Sequence, residues 1–256
     1  MNMKNTLTAI MLTVLLVGCA SQREHSADVD ENWQTLFNGT DLSGWQVKCL
    51  PADLDKTFWK VNNGAIEANS MGRGDHDYVW LISDGEYDNF HLRLKFQAFR
   101  SSNGNSGVQF RSRYDSSAPN GGWLNGPQVD IHPPIPFHTG LIYDETKGYQ
   151  RWIWPSLKNW EIQPNQAPAA AHQIRLVYAD TDPGAWNTLE IICDGVHIQT
   201  IVNGLLISDY DAAGVLDDEI HKAHNVGTNG HLALQLHAND EVRIRFKDIQ
   251  IQKITK

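Results

Sequence analysis

The 256-residue chain carries 30 acidic and 21 basic side chains, a formal charge of −9, and no basic cluster. That balance argues against a nucleic-acid partner and fits a neutral or cationic small substrate, neutral sugars included. With a leader set aside, about 225 residues remain, enough for one large β domain with a sizeable core, and no linker divides them.

At the N-terminus, Lys4 and Asn5 precede an uncharged run over 6–17 that ends in Leu16-Val17-Gly18-Cys19. The run is too short to span a bilayer comfortably and closes on a lipobox. Residues 1–18 are therefore predicted to be a lipoprotein signal peptide, with Cys19 the lipidated residue. Ala20, not aspartate, follows the cysteine, which favours outer-membrane sorting. Residues 19–32 are polar and predict a lipidated tether, leaving 33–256 as the folded domain. The expected location is the cell envelope, lipid-anchored at the outer membrane or on its periplasmic face.

Further along, period-two alternation recurs over 90–96, 187–193 and 242–246, and no window sustains a helical stripe. The body is predicted to be all-β. Asn63-Gly64, Asp194-Gly195 and Asn203-Gly204 suit tight hairpins, and the last two chain 186–210 into a meander. Val242, Ile244 and Phe246 share one phase and Ile249 and Ile251 the other, which predicts a bulge near Asp248. About a dozen strands without helices leave a two-sheet sandwich or a closed barrel as the economical arrangements, and the sandwich, one sheet of which has an open concave side, is the favoured expectation.

Polar rows are expected on that open side. Val108 and Phe110 oppose Gln109, Arg111 and Arg113; Val129 and Ile131 oppose Gln128, Asp130 and His132; leucines at 232, 234 and 236 oppose His231, Gln235 and His237. If these strands share a sheet, Arg111, Asp130 and His237 gather on one face. Trp123, in a glycine-rich turn region, is a candidate ligand contact. The long segment 149–172 carries Trp152, Trp154 and Trp160, whose rings could stack on sugar faces or pack the loop onto the sandwich. His221 and His224 fall in a polar loop and are left out of the chemistry, as is His231. Cys49 and Cys193 lack zinc-motif spacing; export would permit a disulfide, and a buried free thiol at Cys193 is equally compatible with its phase.

A series of short motifs carries a resemblance across nearly the whole mature chain. They are Leu36-Phe37-Asn38-Gly39-Thr40-Asp41-Leu42-Ser43-Gly44-Trp45, Trp59-Lys60-Val61, Gly104-Asn105-Ser106-Gly107-Val108, Gly126-Pro127-Gln128-Val129-Asp130-Ile131, Thr139-Gly140-Leu141-Ile142-Tyr143, Trp186-Asn187-Thr188-Leu189-Glu190-Ile191 and Leu234-Gln235-Leu236-His237. In this order they resemble the exported 3-keto-disaccharide hydrolases, also described as 3-keto-glucoside 1,2-lyases and 3-keto-2-hydroxyglucal hydratases. The resemblance implies a concanavalin A-like jelly-roll β-sandwich of two antiparallel sheets. It also implies glycoside substrates whose C3 hydroxyl an upstream sugar oxidoreductase has already oxidised. The chain departs from many relatives at Pro127-Gln128, where they carry Tyr-Glu, and in its longer tryptophan loop.

A ketone at C3 acidifies the C2 hydrogen, so such a site needs a base near C2, a group that stabilises the enolate oxygen, and an acid for the departing oxygen. His237 is the first candidate for base or acid, with Asp130 the rival base. Arg111 and Gln235 are candidates for the enolate oxygen, while Tyr143, Gln128 and Gln109 are candidates for binding sugar hydroxyls, with Trp123 and Trp154 for stacking. No cofactor is required by the sequence, but Asp130 and His132, two apart on one strand face, could hold a divalent metal ion with His237. A Gly-x-Ser-x-Gly elbow and a phosphate loop are both missing from the chain, and Gln128 with Asp130 supplies one carboxylate where an ordinary glycosidase of this fold would have two. The competing expectations are a non-catalytic carbohydrate-binding lipoprotein of lectin-like fold and an envelope assembly factor.

Overall fold

Asn63 and Asn203, each followed by glycine, adopt positive φ of 47° and 49° and fold the chain back into tight hairpins. This is the conformation whose twist suits two-residue hairpin loops, and Asn and Gly tolerate it best. The computed structural model describes residues 32–255. The predicted signal peptide, Cys19 and the tether up to residue 31 lie outside the described residues.

Among the described residues, sixteen strands form two eight-stranded sheets whose neighbours run antiparallel. The back sheet runs Leu205–Asp211, His197–Val202, Asn187–Asp194, Phe90–Gln97, Arg243–Lys253, Ala65–Asn69 and Trp59–Asn62, with Gln34–Thr35 pairing to Arg243–Lys253. The front sheet runs Arg151–Trp154, Ile142–Asp144, Pro127–Ile131, Ser106–Asp115, Gly230–Leu236, Val79–Tyr87 and Trp45–Cys49, with Trp123–Asn125 pairing to Ser106–Asp115. The three segments with polar rows thus share one sheet, and the expected jelly-roll sandwich is what forms.

The alternation explains why the sheets close on each other. Val108, Phe110, Val129, Ile131, Leu234 and Leu236 from the front meet Leu92, Leu94, Phe96, Leu189, Ile191 and Phe246 from the back in one buried core. Each such side chain contributes roughly 1.5–3 kcal/mol by leaving water. Cys49 in the front sheet and Cys193 in the back sheet are both buried and both free thiols, so no disulfide joins them.

The front sheet has apolar cover on part of its outer face as well. Trp80, Ile82 and Ala233 pack there against Ala118, Trp123 and Leu124, delivered by the segment that precedes and forms the strand Trp123–Asn125. Covered on both faces, the start of Val79–Tyr87 is a continuous apolar run in place of an alternation. The uncovered remainder of that face is where the polar rows lie.

The predicted bulge at Asp248 is present, with φ of 51° and a register shift between Lys247 and Gln250. Two features differ from expectation. The loop over 149–172 contributes an edge strand, Arg151–Trp154, because its β-branched and aromatic residues add to Ile142–Asp144. A short α-helix also forms, Glu219–His224, started by Asp218, whose side chain accepts from the His221 backbone N–H. Six residues are too few to show a helical period.

Candidate active site

Strand phase delivers the site. With Val129 and Ile131 committed to the core, Gln128 and Asp130 of Pro127–Ile131 face outward. Tyr143 of Ile142–Asp144 and His237, which follows Gly230–Leu236, join them around a cavity of about 790 Å³. Gly107 on the adjacent strand makes room: a Cβ there would lie 2.5 Å from the Gln128 carboxamide. Tyr78, Asn105, Glu145 and Asp240 complete this part of the wall.

His237 is held at both ring nitrogens. Its Nδ1 lies 3.1 Å from Asp240 Oδ2 and its Nε2 3.0 Å from the Tyr78 hydroxyl. Asp240 is itself fixed by the Asn105 backbone N–H, which donates to Oδ2 at 2.9 Å. Burial works against the imidazolium. The hydrogen bond and charge of Asp240, with Glu145 and Asp130 nearby, outweigh it and hold the pKa above its ordinary value. Burial raises the Tyr78 phenol, with Glu145 adding to it, so that it stays protonated.

Two carboxyl groups in the same wall are almost wholly withdrawn from water. Burial pushes Asp130 up to about 7 and Glu145 up to about 7. Glu145 Oε1 accepts from Gln235 Nε2 at 3.0 Å, while Asp130 Oδ2 is buried without a hydrogen-bond partner. Carboxyls that keep a proton near neutral pH, beside a histidine with a raised pKa, are suited to general acid and base work.

A third group suits a metal ion. Asp130, His132 and His138 offer ligand atoms all within 4.8 Å of one another. Burial depresses both imidazoles to about 4, so each presents a neutral ring. His138 Nε2 and Asp130 Oδ2 are both buried without a hydrogen-bond partner, and His138 Nδ1 lies 3.7 Å from Asp130 Oδ2. The carboxylate and imidazole donor set fits a divalent first-row cation. His138, on the turn Pro136–His138, takes the place the sequence reading gave to His237, which is engaged by Asp240 and Tyr78.

Other sequence candidates lie elsewhere. Arg111 is not on the site face: Phe110 and Arg111 form a bulge opposite Leu232, Arg111 has φ of 50°, and its side chain turns away. Its guanidinium donates to the carbonyls of Asp88 (2.7 Å), Gly195 (2.6 Å) and Gly227 (3.2 Å) and to Asn89 Oδ1 (3.2 Å). Gln109 donates to the Leu124 carbonyl and packs beneath the apolar cover. Gln235 sits behind Glu145 and positions it. Trp123 is only 8% exposed, gives its indole N–H to the Glu145 carbonyl and supports Tyr78 edge-on. Trp154 stacks on Tyr210 away from the cavity, and Trp152 and Trp160 line it instead.

Tyr78, His138, Glu145 and Asp240 were missed. Glu145 had a signal, since it continues the outward phase of Tyr143. Asp240 and His138 come from turns, where no alternation fixes a direction. His221, set aside as a loop residue, is wholly buried between Asp144 and Asp218.

A family model described as a 3-keto-alpha-glucoside-1,2-lyase-like domain matches residues 32–252. Among solved structures, a Parabacteroides distasonis protein provisionally described as a glycosyl hydrolase is 18% identical with a TM-score of 0.53, over 88% of this chain and 96% of that one. A second from the same organism, described likewise, is 20% identical with a TM-score of 0.49, over 87% and 99%. The carbohydrate-binding module CBM66 of Bacillus subtilis is 14% identical with a TM-score of 0.48, over 82% and 96%. The first shares the sandwich fold. A search of curated proteins finds no match.

Proposed function

The chain belongs to the 3-keto-alpha-glucoside-1,2-lyase-like domain family, and from that premise we propose that it is an exported lipoprotein that cleaves 3-keto-glycosides by elimination across C1–C2. The observation that carries this reading is His237, fixed between Asp240 and Tyr78 in one cavity with two carboxyls that burial keeps protonatable near neutral pH.

Asp240, on Nδ1, selects the tautomer in which Nε2 is the basic atom. The Tyr78 hydroxyl sits on that atom, so a proton taken at the tyrosine oxygen or at Nε2 comes to rest on the same imidazole. Removing the C2 proton leaves its electron pair in an enolate across C2 and C3. That pair then forms the C1–C2 double bond as the C1–O bond breaks, and the departing oxygen takes a proton from the Glu145 carboxyl. The products are a 3-keto-2-hydroxyglucal and a free alcohol. Addition of water, its oxygen to C1 and a proton to C2, gives net hydrolysis. Gln128 and Tyr143 face the cavity as partners for sugar hydroxyls. Asp130, His132 and His138 would hold a divalent ion, which when bound supplies Lewis-acid polarisation of a sugar oxygen.

The test is incubation with a methyl 3-keto-glucoside in both anomeric forms, with and without chelator, followed by mass and NMR. The expected result is release of methanol with formation of the hydroxyglucal or 3-keto-glucose. Saturable binding without any product would favour the carbohydrate-binding lipoprotein, and no binding would favour an assembly role.

A further inference from the structure

The cavity is larger than one sugar ring needs, since its roughly 790 Å³ lies within the ~300–1,000 Å³ of sites that enclose drug-sized ligands. The surplus is an arm beyond His138, whose ring touches Phe137 and Trp152 with centroids 4.7 and 5.3 Å apart. Ile135, Trp160, Ile162 and Pro164 also line the cavity and are taken with Phe137 and Trp152 as this arm.

Three observations say what fits there. First, the buried side chains of this part of the wall, Trp152 and Ile162, are apolar, and the one polar atom of Trp152, its indole N–H, already donates to the Trp160 carbonyl at 2.8 Å; the polar lining, Gln150, Glu161 and Gln163, is exposed to water. A sugar leaving group would find no hydroxyl partner on Phe137, Trp152 or Ile162. Second, Trp160 is 69% exposed and Ile135 38%, so two large apolar side chains at the mouth are left out of the core. Exposed apolar groups clustered at a cavity rim mark a ligand surface. Third, the charged side chains lining the cavity are Asp130, Glu145, Glu161 and Asp240 with three histidines, and neither lysine nor arginine is among them. An anionic leaving group is disfavoured.

Resting on the lyase reading above, we propose that the arm binds the leaving group and that this group is an uncharged, planar aromatic alcohol, not a second sugar or a phosphate. Trp160 is its stacking platform.

The experiment compares benzyl 3-keto-glucoside with 3-keto-cellobiose, each cleaved by the full chain and by Trp160→Ala and Trp160→Phe. The expected result is a kcat/KM preference for the benzyl compound. That preference should collapse about fivefold in W160A, the size of one aromatic contact, and be restored in W160F. A preference for the disaccharide, or one that W160A leaves unmoved, overturns the proposal. A C-benzyl 3-keto-glucoside, whose C1–C bond cannot break, separates this outcome from failure of the parent reading. If the chain turns over neither substrate, the lyase reading fails. The arm is then judged by whether the C-benzyl compound quenches tryptophan fluorescence saturably and W160A weakens it; no saturable quenching overturns the arm as well.

Discussion

Asp240 stands three residues after His237 and faces its ring, Oδ2 to Nδ1 at 3.1 Å, so one turn of chain supplies both a histidine and the carboxylate that orients it. The pairing raises the imidazole pKa against the opposing effect of burial. Replacing Asp240 by Asn removes the negative charge, so the His237 pKa falls and the acid limb of the kcat/KM profile moves to lower pH. His237→Asn removes the base itself, with an expected loss of about 10²–10⁴-fold in kcat. A pH–rate profile of D240N that keeps the wild-type acid limb would separate His237 from the chemistry.

Glu145 holds its proton up to about pH 7 because it is buried. As the acid for the departing oxygen it must be protonated, so kcat/KM is expected to fall as pH rises past that value. Glu145→Gln cannot donate that proton as an acid. Its cost should be about 10²-fold or more for an alkyl alcohol leaving group and much smaller for 4-nitrophenol, which departs without protonation. Equal losses for both would assign Glu145 another role.

The strands were legible because both the sandwich core and the outward polar row follow a period of two, and Gln128, Asp130 and His237 were placed on the outer face that way, whereas Tyr143 came from the motif Thr139-Gly140-Leu141-Ile142-Tyr143. Arg111 was misplaced for the converse reason. A bulge shifts phase by one residue, and nothing in Phe110-Arg111-Ser112 announces it; the Asp248 bulge, in the back sheet, was readable only because Ile249 and Ile251 resume in the opposite phase. Asp240 and His138 were hidden because turn residues have no periodic direction. Trp123 and Trp154 were misjudged because indoles serve equally as packing and as ligand surface.

Arg111 is predicted to be structural. Its guanidinium satisfies three backbone carbonyls and ties together turns at Asp88, Gly195 and Gly227. Arg111→Met leaves those acceptors without their charged donor, at roughly 1–3 kcal/mol for each one left buried and unsatisfied. Urea denaturation should show a stability loss of several kcal/mol, while kcat measured well below the melting transition stays within about twofold of wild type. A large drop in kcat with normal stability would return Arg111 to the site.

Divalent-ion binding distinguishes the two possible ligand sets. Asp130→Asn and His138→Ala each remove a member of the cluster and should weaken zinc or manganese binding by at least about tenfold, measured calorimetrically. His237→Asn should bind the ion as the wild type does. Loss of binding in H237N with retention in H138A would restore the set read from the sequence.

His221 joins the helix Glu219–His224 to the strand that ends beside Glu145. Its Nε2 lies 3.2 Å from Asp144 Oδ2 and its Nδ1 2.9 Å from Asp218 Oδ1, and Tyr149 stacks on the ring while its hydroxyl bonds Asp218. Burial disfavours the imidazolium, but the hydrogen bonds and charges of Asp144 and Asp218 outweigh it and raise its pKa. A raised pKa means stabilisation that is complete below the unfolded value, about 6.5, and is lost as pH climbs through the folded value. Asp218 has the opposite sign. Burial alone would raise it, but the His221 backbone N–H, Tyr149 and the His221 ring lower it to about 2. Its contribution is therefore present above about pH 4 and is lost as pH falls toward 2. The bridge should accordingly stabilise most between about pH 4 and 6.5. In urea titrations the wild type should lose stability above that window relative to its maximum. His221→Gln should show no such decline and should be about 3–5 kcal/mol less stable within the window. Curves for the two proteins that run parallel from pH 4 to 9 would show that His221 is not charged in the fold.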